Sequence, residues 1–258
     1  MLHKTKIIPT VGPACNTYEK LLELVEAGVN VFRLNFSHGT HDQHKEVIDH
    51  IQRINKDFPF NIAILADLQG PKLRVGDLKD GMLDLPLGEE FYFTNEKRIG
   101  DKDGVYISYP SFHTDVRIGE KILLVDGKIV VLVVEITADN RVKVKAVTAG
   151  TLLPKKGVNL PDTKISLPSL SEKDLADLDF IISQNIDWVA LSFVRKPDDI
   201  HDLRRILKEK NSNAKIIAKI EKPEALEHLR EIILASDAVM VARGDLGVEL
   251  PLEQIPMI

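Results

Sequence analysis

The feature that most constrains this sequence is an alternation of two hydrophobic periods, interrupted once and then resumed. Thr5 to Val11 has the pattern of a strand. Thr17 then caps a predicted helix whose apolar positions are Leu21, Leu22, Leu24 and Val25, and Gly28 ends it. Val29 to Phe36 is a second predicted strand and His41 to Lys56 a second helix. Asn61 to Leu68 is nearly continuous in apolar residues, the pattern of a strand buried on both faces. The order β-α-β-α-β implies a parallel sheet. From Pro71 to Leu167 no segment has helical period, and nine of the fifteen glycines fall there. Short β-rich runs, such as Phe91 to Thr94, Lys121 to Val125 and Lys128 to Ile136, predict a separate, mostly antiparallel β domain. The alternation then returns. Ser171 with Asp174 forms a capping box for a helix expected to bury Leu175, Leu178, Ile181 and Ile182. Strand Asp187 to Val194, helix Pro197 to Lys210 and strand Lys215 to Ile220 follow. A helix opening at Pro223 and carrying Leu226, Leu229, Ile232 and Ile233 leads to strand Asp237 to Ala242. The β domain is therefore inserted rather than appended. The expected parts are residues 1–70, 71–167 and 168–258.

Six βα units fit either a doubly wound sheet or an incomplete barrel. Polar residues stand at the C-terminal ends of most strands: Arg33 and Asn35, Asp67, Ser192 and Arg195, Lys219 and Glu221, Arg243 and Asp245. Barrel enzymes draw their sites from several strand ends on that face. A doubly wound fold would concentrate ligand groups at one switch point behind a glycine-rich first turn, and Gly12-Pro13-Ala14 is not such a turn. The expectation is an α/β fold, a (β/α)8 TIM-type barrel that is incomplete at six units, with a small all-β barrel domain inserted. The chain stops at Ile258 inside what reads as an active-site helix, so it is expected to be the N-terminal part of a longer protein.

Composition narrows the partners. With 34 basic and 39 acidic residues the net charge is −5, which gives no global footprint for nucleic acid. Apolar residues at 44% argue against disorder. The longest apolar run, Ile129 to Val134, is far short of the roughly 20 residues of a membrane span. Met1, Leu2, His3 and Lys4 lead into the first strand without the apolar stretch of a signal peptide. The lone Cys15 builds neither a disulfide framework nor a thiolate zinc site and is assigned to packing. These readings point to the cytoplasm and to an anionic ligand held by local positive charge.

Lys219 and Glu221 are two apart at a strand end, so alternation directs both to one face. On spacing alone, a ligand pair and an ordinary rim ion pair are equally good readings. Arg243-Gly244-Asp245-Leu246-Gly247 sets a carboxylate among glycines that admit close backbone approach, which a solvated glycine turn also explains. Together Glu221 and Asp245 are two carboxylates from neighbouring strand ends, and Mg²⁺ is commonly held by one or two. Arg33 suits a phosphoryl clamp, and Asn35 and Ser37 suit a cation. The alternatives are a core-edge ion pair for Arg33 and a helix cap by Ser37 or Thr40. His38, like most lone histidines, reads more readily as structural than catalytic. Asp67 ends the third strand and is followed by Lys72 and Arg74. Lys155-Lys156-Gly157, on the inserted domain, is a solvated loop unless that domain acts as a lid.

The segments TKIIPTVGPA, RLNFSHGTH, ADLQGPKLRVG, KKGVNLP, LSFVRK, AKIEKPEA and VMVARGDLGVELP, in this order and across essentially the whole chain, resemble the pyruvate kinase family. The resemblance implies a barrel A domain, a small β-barrel B domain inserted after its third strand, and a C-terminal regulatory domain that is absent here. It implies phosphoryl transfer from phosphoenolpyruvate to ADP, giving pyruvate and ATP, with Mg²⁺ or Mn²⁺ as cofactor. Lys219 and Arg33 match the catalytic, phosphoryl-binding pair. Gly244 and Asp245 match the substrate carboxylate site, and Glu221 and Asp245 the divalent-metal ligands. Asn35, Ser37, Asp67 and the carbonyl of Leu68 match a monovalent-cation site. Asn35, His38, Arg74 and Lys156 match the nucleotide side. No nucleic acid or membrane is an expected partner, and the full-length parent is expected to be a homotetramer.

Lys72 departs from the glutamate usual in potassium-dependent members, and Leu68-Gln69 from the common Thr-Lys. An ammonium near Asp67 would replace K⁺ as the local positive charge, so K⁺ is not expected to be required. The chain alone is expected to be inactive or impaired. Two other readings compete. One is a metal-dependent pyruvate-enolate lyase or aldolase of barrel fold, which would not need Lys156 or its domain. The other is a non-catalytic truncated product with a free edge near Asp237 to Ala242.

Overall fold

The computed structural model describes residues 4–258, so the reading of Met1 to His3 as leader-free lies outside the described residues. The chain forms two compact units. One comprises the residues up to Pro71 with Pro168–Val241; the other comprises Lys72–Leu167 with Ala242–Ile258.

In the first unit, α1 (Tyr18–Glu26) starts where the Thr17 side chain accepts a hydrogen bond from the Lys20 amide, and it buries Leu21 and Val25. Gly28, at φ +106°, turns the chain in a conformation that disfavours any side chain. Strand β1 (Val31–Asn35) follows, then α2 (His41–Asp57), opened by a reciprocal capping box between Thr40 and Gln43. Helix α2 turns Val47, Ile48, Ile51 and Ile54 inward, and β2 (Ala63–Asp67) is buried nearly throughout.

The second unit is built from short strands: β3 (Leu83–Leu85), β4 (Glu90–Thr94) and β5 (Val105–Tyr106), a single helical turn α3 (Phe112–Asp115), then β6 (Lys121–Leu124), β7 (Ile129–Ile136), β8 (Val142–Ala146), β9 (Gly150–Leu152) and β10 (Val158–Asn159). Its main sheet runs β10-β6-β7-β8-β4-β5, antiparallel except for the β4–β5 pair, and β3 pairs with β9. Alternation along β7 sends Ile129, Val131 and Val133 into a core shared with Phe91, Phe93, Phe112 and Val144.

The chain returns to the first unit through α4 (Glu172–Ser183), β11 (Trp188–Leu191), α5 (Pro197–Glu209), β12 (Lys215–Ile220), α6 (Pro223–Glu227), α7 (Leu229–Ala235) and β13 (Ala238–Val241). The five strands of this unit are all parallel, in the order β1-β2-β11-β12-β13. Helix α8 (Arg243–Glu249) falls in the second unit, where it buries Leu246 and where Asn159 Nδ2 donates to Glu249 Oε1 at 2.9 Å.

Other differences have local causes. Thr5 to Val11 runs beside β1 without becoming a regular strand. The Arg33 amide donates to the Pro9 carbonyl and the Val11 amide to the Arg33 carbonyl, both at 2.9 Å, but Pro9 has no N–H to extend a ladder. Leu175 is exposed, because α4 turns Asp174 and Asp177 inward alongside Leu178 and Ile181. The helix expected from Pro223 breaks at His228 into α6 and α7, and Ile233 is exposed.

Candidate functional site

The parallel strands of the first unit deliver their polar residues to one place. Asp67 is the last residue of β2 and fully buried; its Oδ2 accepts Arg33 Nε from β1 at 2.7 Å and also receives Arg33 Nη2, so one carboxylate oxygen takes both arms of the guanidinium. Thr10 Oγ1 takes the third guanidinium nitrogen, Nη1, at 2.6 Å. The register explains the pairing: β1 and β2 set Asn35 opposite Asp67, and Arg33 points to the same face two residues earlier.

Lys219, near the end of β12, enters the same cluster. Its Nζ lies 3.2 Å from Asp67 Oδ1, 2.8 Å from Glu221 Oε1 and 2.7 Å from Ser192 Oγ. Burial works against the ammonium, but the charges of Glu221 and Asp67 and their hydrogen bonds outweigh it, so its pKa lies above the ordinary lysine value. Ser192 Oγ donates to the Leu68 carbonyl at 2.7 Å while receiving Lys219. Glu221 is fixed on its far side by the Phe193 amide, which donates to Oε2 at 2.8 Å. Two fixed cations and two buried carboxylates therefore converge, with no net charge among the four.

The neighbouring loop after β1 is folded on itself. Asn35 Oδ1 accepts the Ser37 amide at 3.0 Å, and the His38 carbonyl accepts from His44 Nε2 at 2.9 Å. The His38 ring is exposed; the helix cap falls to Thr40, not Ser37. Behind this loop, Phe36 stacks on His44 with centroids 4.2 Å apart. Lys173 donates to the Phe36 carbonyl at 2.7 Å and pairs with Asp177, which also holds His41 at 2.8 Å.

The remaining expected site residues belong to the second unit. Arg74 Nη1 donates to the Lys155 carbonyl at 3.2 Å, and the Val75 amide donates to the Lys156 carbonyl, so Arg74 and the exposed Lys156 share one corner of that unit. The side chain of Lys72 runs close to Gly157. Gly244 and Asp245 lie in the first turn of α8, whose N-cap, Ala242, supplies no side-chain hydrogen bond. Arg33, Asp67, Leu68, Lys219 and Glu221 are thus brought together, and Arg74 with Lys156, each within its own unit. Sequence reasoning missed Thr10 and left Ser192 without a role. Their signals were weak: a hydroxyl in a Pro-containing segment, and a serine just past a strand end.

Among the described residues no group of three or more His, Cys, Asp and Glu side chains could enclose a metal. A magnesium ion asks for less: one or two carboxylates, with water and substrate oxygens completing its shell. Glu221, a buried hard-oxygen donor beside fixed cations that suit an anionic ligand, fits that requirement.

A family model for the pyruvate kinase barrel domain matches residues 2–258. Pyruvate kinases of Staphylococcus aureus strains MRSA252 and USA300 are each 43% identical over 258 residues, all of this chain and 44% of their own length. The chain thus spans less than half of these curated relatives. The crystal structure of a pyruvate kinase from Cryptosporidium parvum is similar with a TM-score of 0.93 at 37% identity, covering 98% of this chain and 53% of that one.

Proposed function

The chain belongs to the pyruvate kinase family, as its barrel domain, and on that premise we propose that it carries the phosphoryl-transfer half of a pyruvate kinase site. The substrates are phosphoenolpyruvate and ADP. The bond from the phosphorus to the enol oxygen breaks, a bond to the terminal oxygen of ADP forms, and the enolate left behind takes a proton at carbon to give pyruvate. The observation that carries this reading is Lys219, charged and buried between Asp67, Glu221 and Ser192, beside the Arg33 fork.

Phosphoryl transfer is mostly positioning and neutralisation of charge. Arg33, clamped by Asp67 and Thr10, offers a planar donor to phosphoryl oxygens at no further ordering cost. Lys219, held by its two carboxylates, stays protonated and directs its ammonium at the group in flight. Preorganised charge of this kind is often the largest catalytic contribution. Glu221, with Asp245 of α8, would hold the Mg²⁺ or Mn²⁺. When bound, that ion supplies further positive charge to the phosphoryl oxygens. Gly244 and Asp245 are assigned to the substrate carboxylate, and Asn35, His38, Arg74 and Lys156 to the nucleotide. Residues 1–70 and 168–258 act as the barrel part and 71–167 as the inserted domain. The site works without K⁺. Asn35, Ser37, Asp67 and the Leu68 carbonyl are the residues that hold K⁺ in relatives needing it. In this chain Asp67 already meets Arg33 and Lys219, and Lys72 stands where those relatives carry glutamate. The assigned location is the cytoplasm.

The test is pyruvate formation from phosphoenolpyruvate and ADP with Mg²⁺, alongside calorimetric binding of phosphoenolpyruvate. The reading expects Mg²⁺-dependent binding that is lost in Arg33→Ala, and any turnover to depend on Lys219. Absence of both binding and turnover contradicts it.

A further inference from the structure

Asp174 is fully buried, yet it does more than cap α4. One oxygen, Oδ2, takes the Ser171 amide at 2.8 Å and the Ser171 hydroxyl at 2.5 Å, which is the capping box. The other, Oδ1, accepts the amide of Gly70 at 3.1 Å, from the segment that leaves β2 two residues after Leu68. Gly70 sits at φ +68°, and a Cβ there would lie 2.9 Å from Phe193 Cδ2 and 3.0 Å from Ser192 Cβ. Ser192 and Phe193 therefore pack directly on the bare Cα that Asp174 holds in place. Phe193 itself has φ +55°, a conformation a bulky side chain keeps only when its surroundings fix it. These two residues are the ones that hold the charged pair: Ser192 Oγ receives Lys219, and the Phe193 amide holds Glu221.

We propose that Asp174 is a positioning residue for the site, acting through Gly70 on Ser192 and Phe193 and so on Lys219 and Glu221. This rests on the functional reading above for its kinetic consequence, but not for its structural one. A helix cap alone has no need of the Gly70 contact. Positioning does: a displacement of about 1 Å at groups that orient a reacting centre can cost about 10²-fold in rate.

The experiment compares Asp174→Ala, Gly70→Ala and Ser171→Ala in the whole chain by amide hydrogen exchange and by kinetics. Ser171→Ala weakens the cap and leaves the Gly70 bond. Gly70→Ala leaves the cap and forces the contact apart, and it carries the test if Asp174→Ala does not fold. The expected result is exchange of the Phe193 amide about tenfold faster or more in Asp174→Ala and Gly70→Ala, with Leu178 inside α4 unchanged by Gly70→Ala. In both variants kcat falls by about 10²-fold with KM changed far less, and Ser171→Ala does neither. Wild-type protection of Phe193 in both variants overturns the proposal. So does a Ser171→Ala variant that matches Asp174→Ala in kcat. A chain that neither binds phosphoenolpyruvate nor forms pyruvate contradicts the functional reading instead, and the Phe193 exchange still decides the role of Asp174.

Discussion

At the residue scale, Lys219 is the side chain on which most depends. It is buried between two carboxylates, and removing one member of a buried ion cluster leaves the others uncompensated. Lys219→Met is expected to lower stability by about 3–5 kcal/mol, read from urea unfolding. The pH dependence follows from the sign of the shift. Its folded pKa lies above the unfolded value of about 10.4, so its stabilisation is complete below that value and lost as pH rises through the folded one. Wild type should therefore lose stability faster than Lys219→Met on the alkaline side. Equal alkaline slopes would show that the cluster does not hold the proton. His44 has the opposite sign. Burial against Phe36 lowers its pKa despite the hydrogen bond to the His38 carbonyl. Its neutral ring stabilises the fold above about pH 6.5, and that contribution is lost as pH falls through the folded value. His44→Gln should flatten this part of the acid limb in urea midpoints measured against pH. At this scale the sequence was informative about charged residues and silent about hydroxyls. Arg33, Asp67, Lys219 and Glu221 stand at strand ends where alternation aims them together. Thr10 and Ser192 act through single oxygen atoms whose direction no spacing reveals.

At the element scale, the units differ in what makes them legible. The helices of the first unit announce themselves by caps: Thr17, and Ser171 with Asp174, were readable and are used as read. The capping box at Thr40 was only one of two candidates, because Ser37 has the same chemistry three residues earlier. The buried face of α4 was misread because Asp177 looks solvated in sequence. Its partners His41 and Lys173 make it a buried acceptor. Thr5 to Val11 shows how a strand pattern fails when a proline removes one donor from the ladder. In the second unit, close packing is legible only in three dimensions. Gly150 in β9 has no unusual dihedral, yet a Cβ there would lie 2.6 Å from Ile129 Cγ1 in β7. Gly150→Ala is expected to cost about 1–3 kcal/mol by overpacking. A melting temperature unchanged from wild type would show that Ile129 yields freely.

At the scale of the whole molecule, the alternation of periods anticipated a parallel sheet and a β-rich region inserted after the strand that ends at Leu68. That much follows from local physics, since hydrophobic period reports which faces are buried. How the charged groups share their protons and partners does not, because it depends on residues from four separate strand ends meeting. The proposed independence of K⁺, argued from lysine in place of glutamate at position 72, has a consequence at this scale. Turnover is expected to be the same with and without K⁺ at constant ionic strength, and strong stimulation by K⁺ would sink that expectation. The most direct test of the central claim is pyruvate formation by this chain from phosphoenolpyruvate and ADP with Mg²⁺, compared with Lys219→Met. The account predicts that whatever rate the chain supports falls by about 10²-fold or more in the variant, the scale of removing one preorganised charge. A Lys219→Met chain that turns over at the wild-type rate would contradict it.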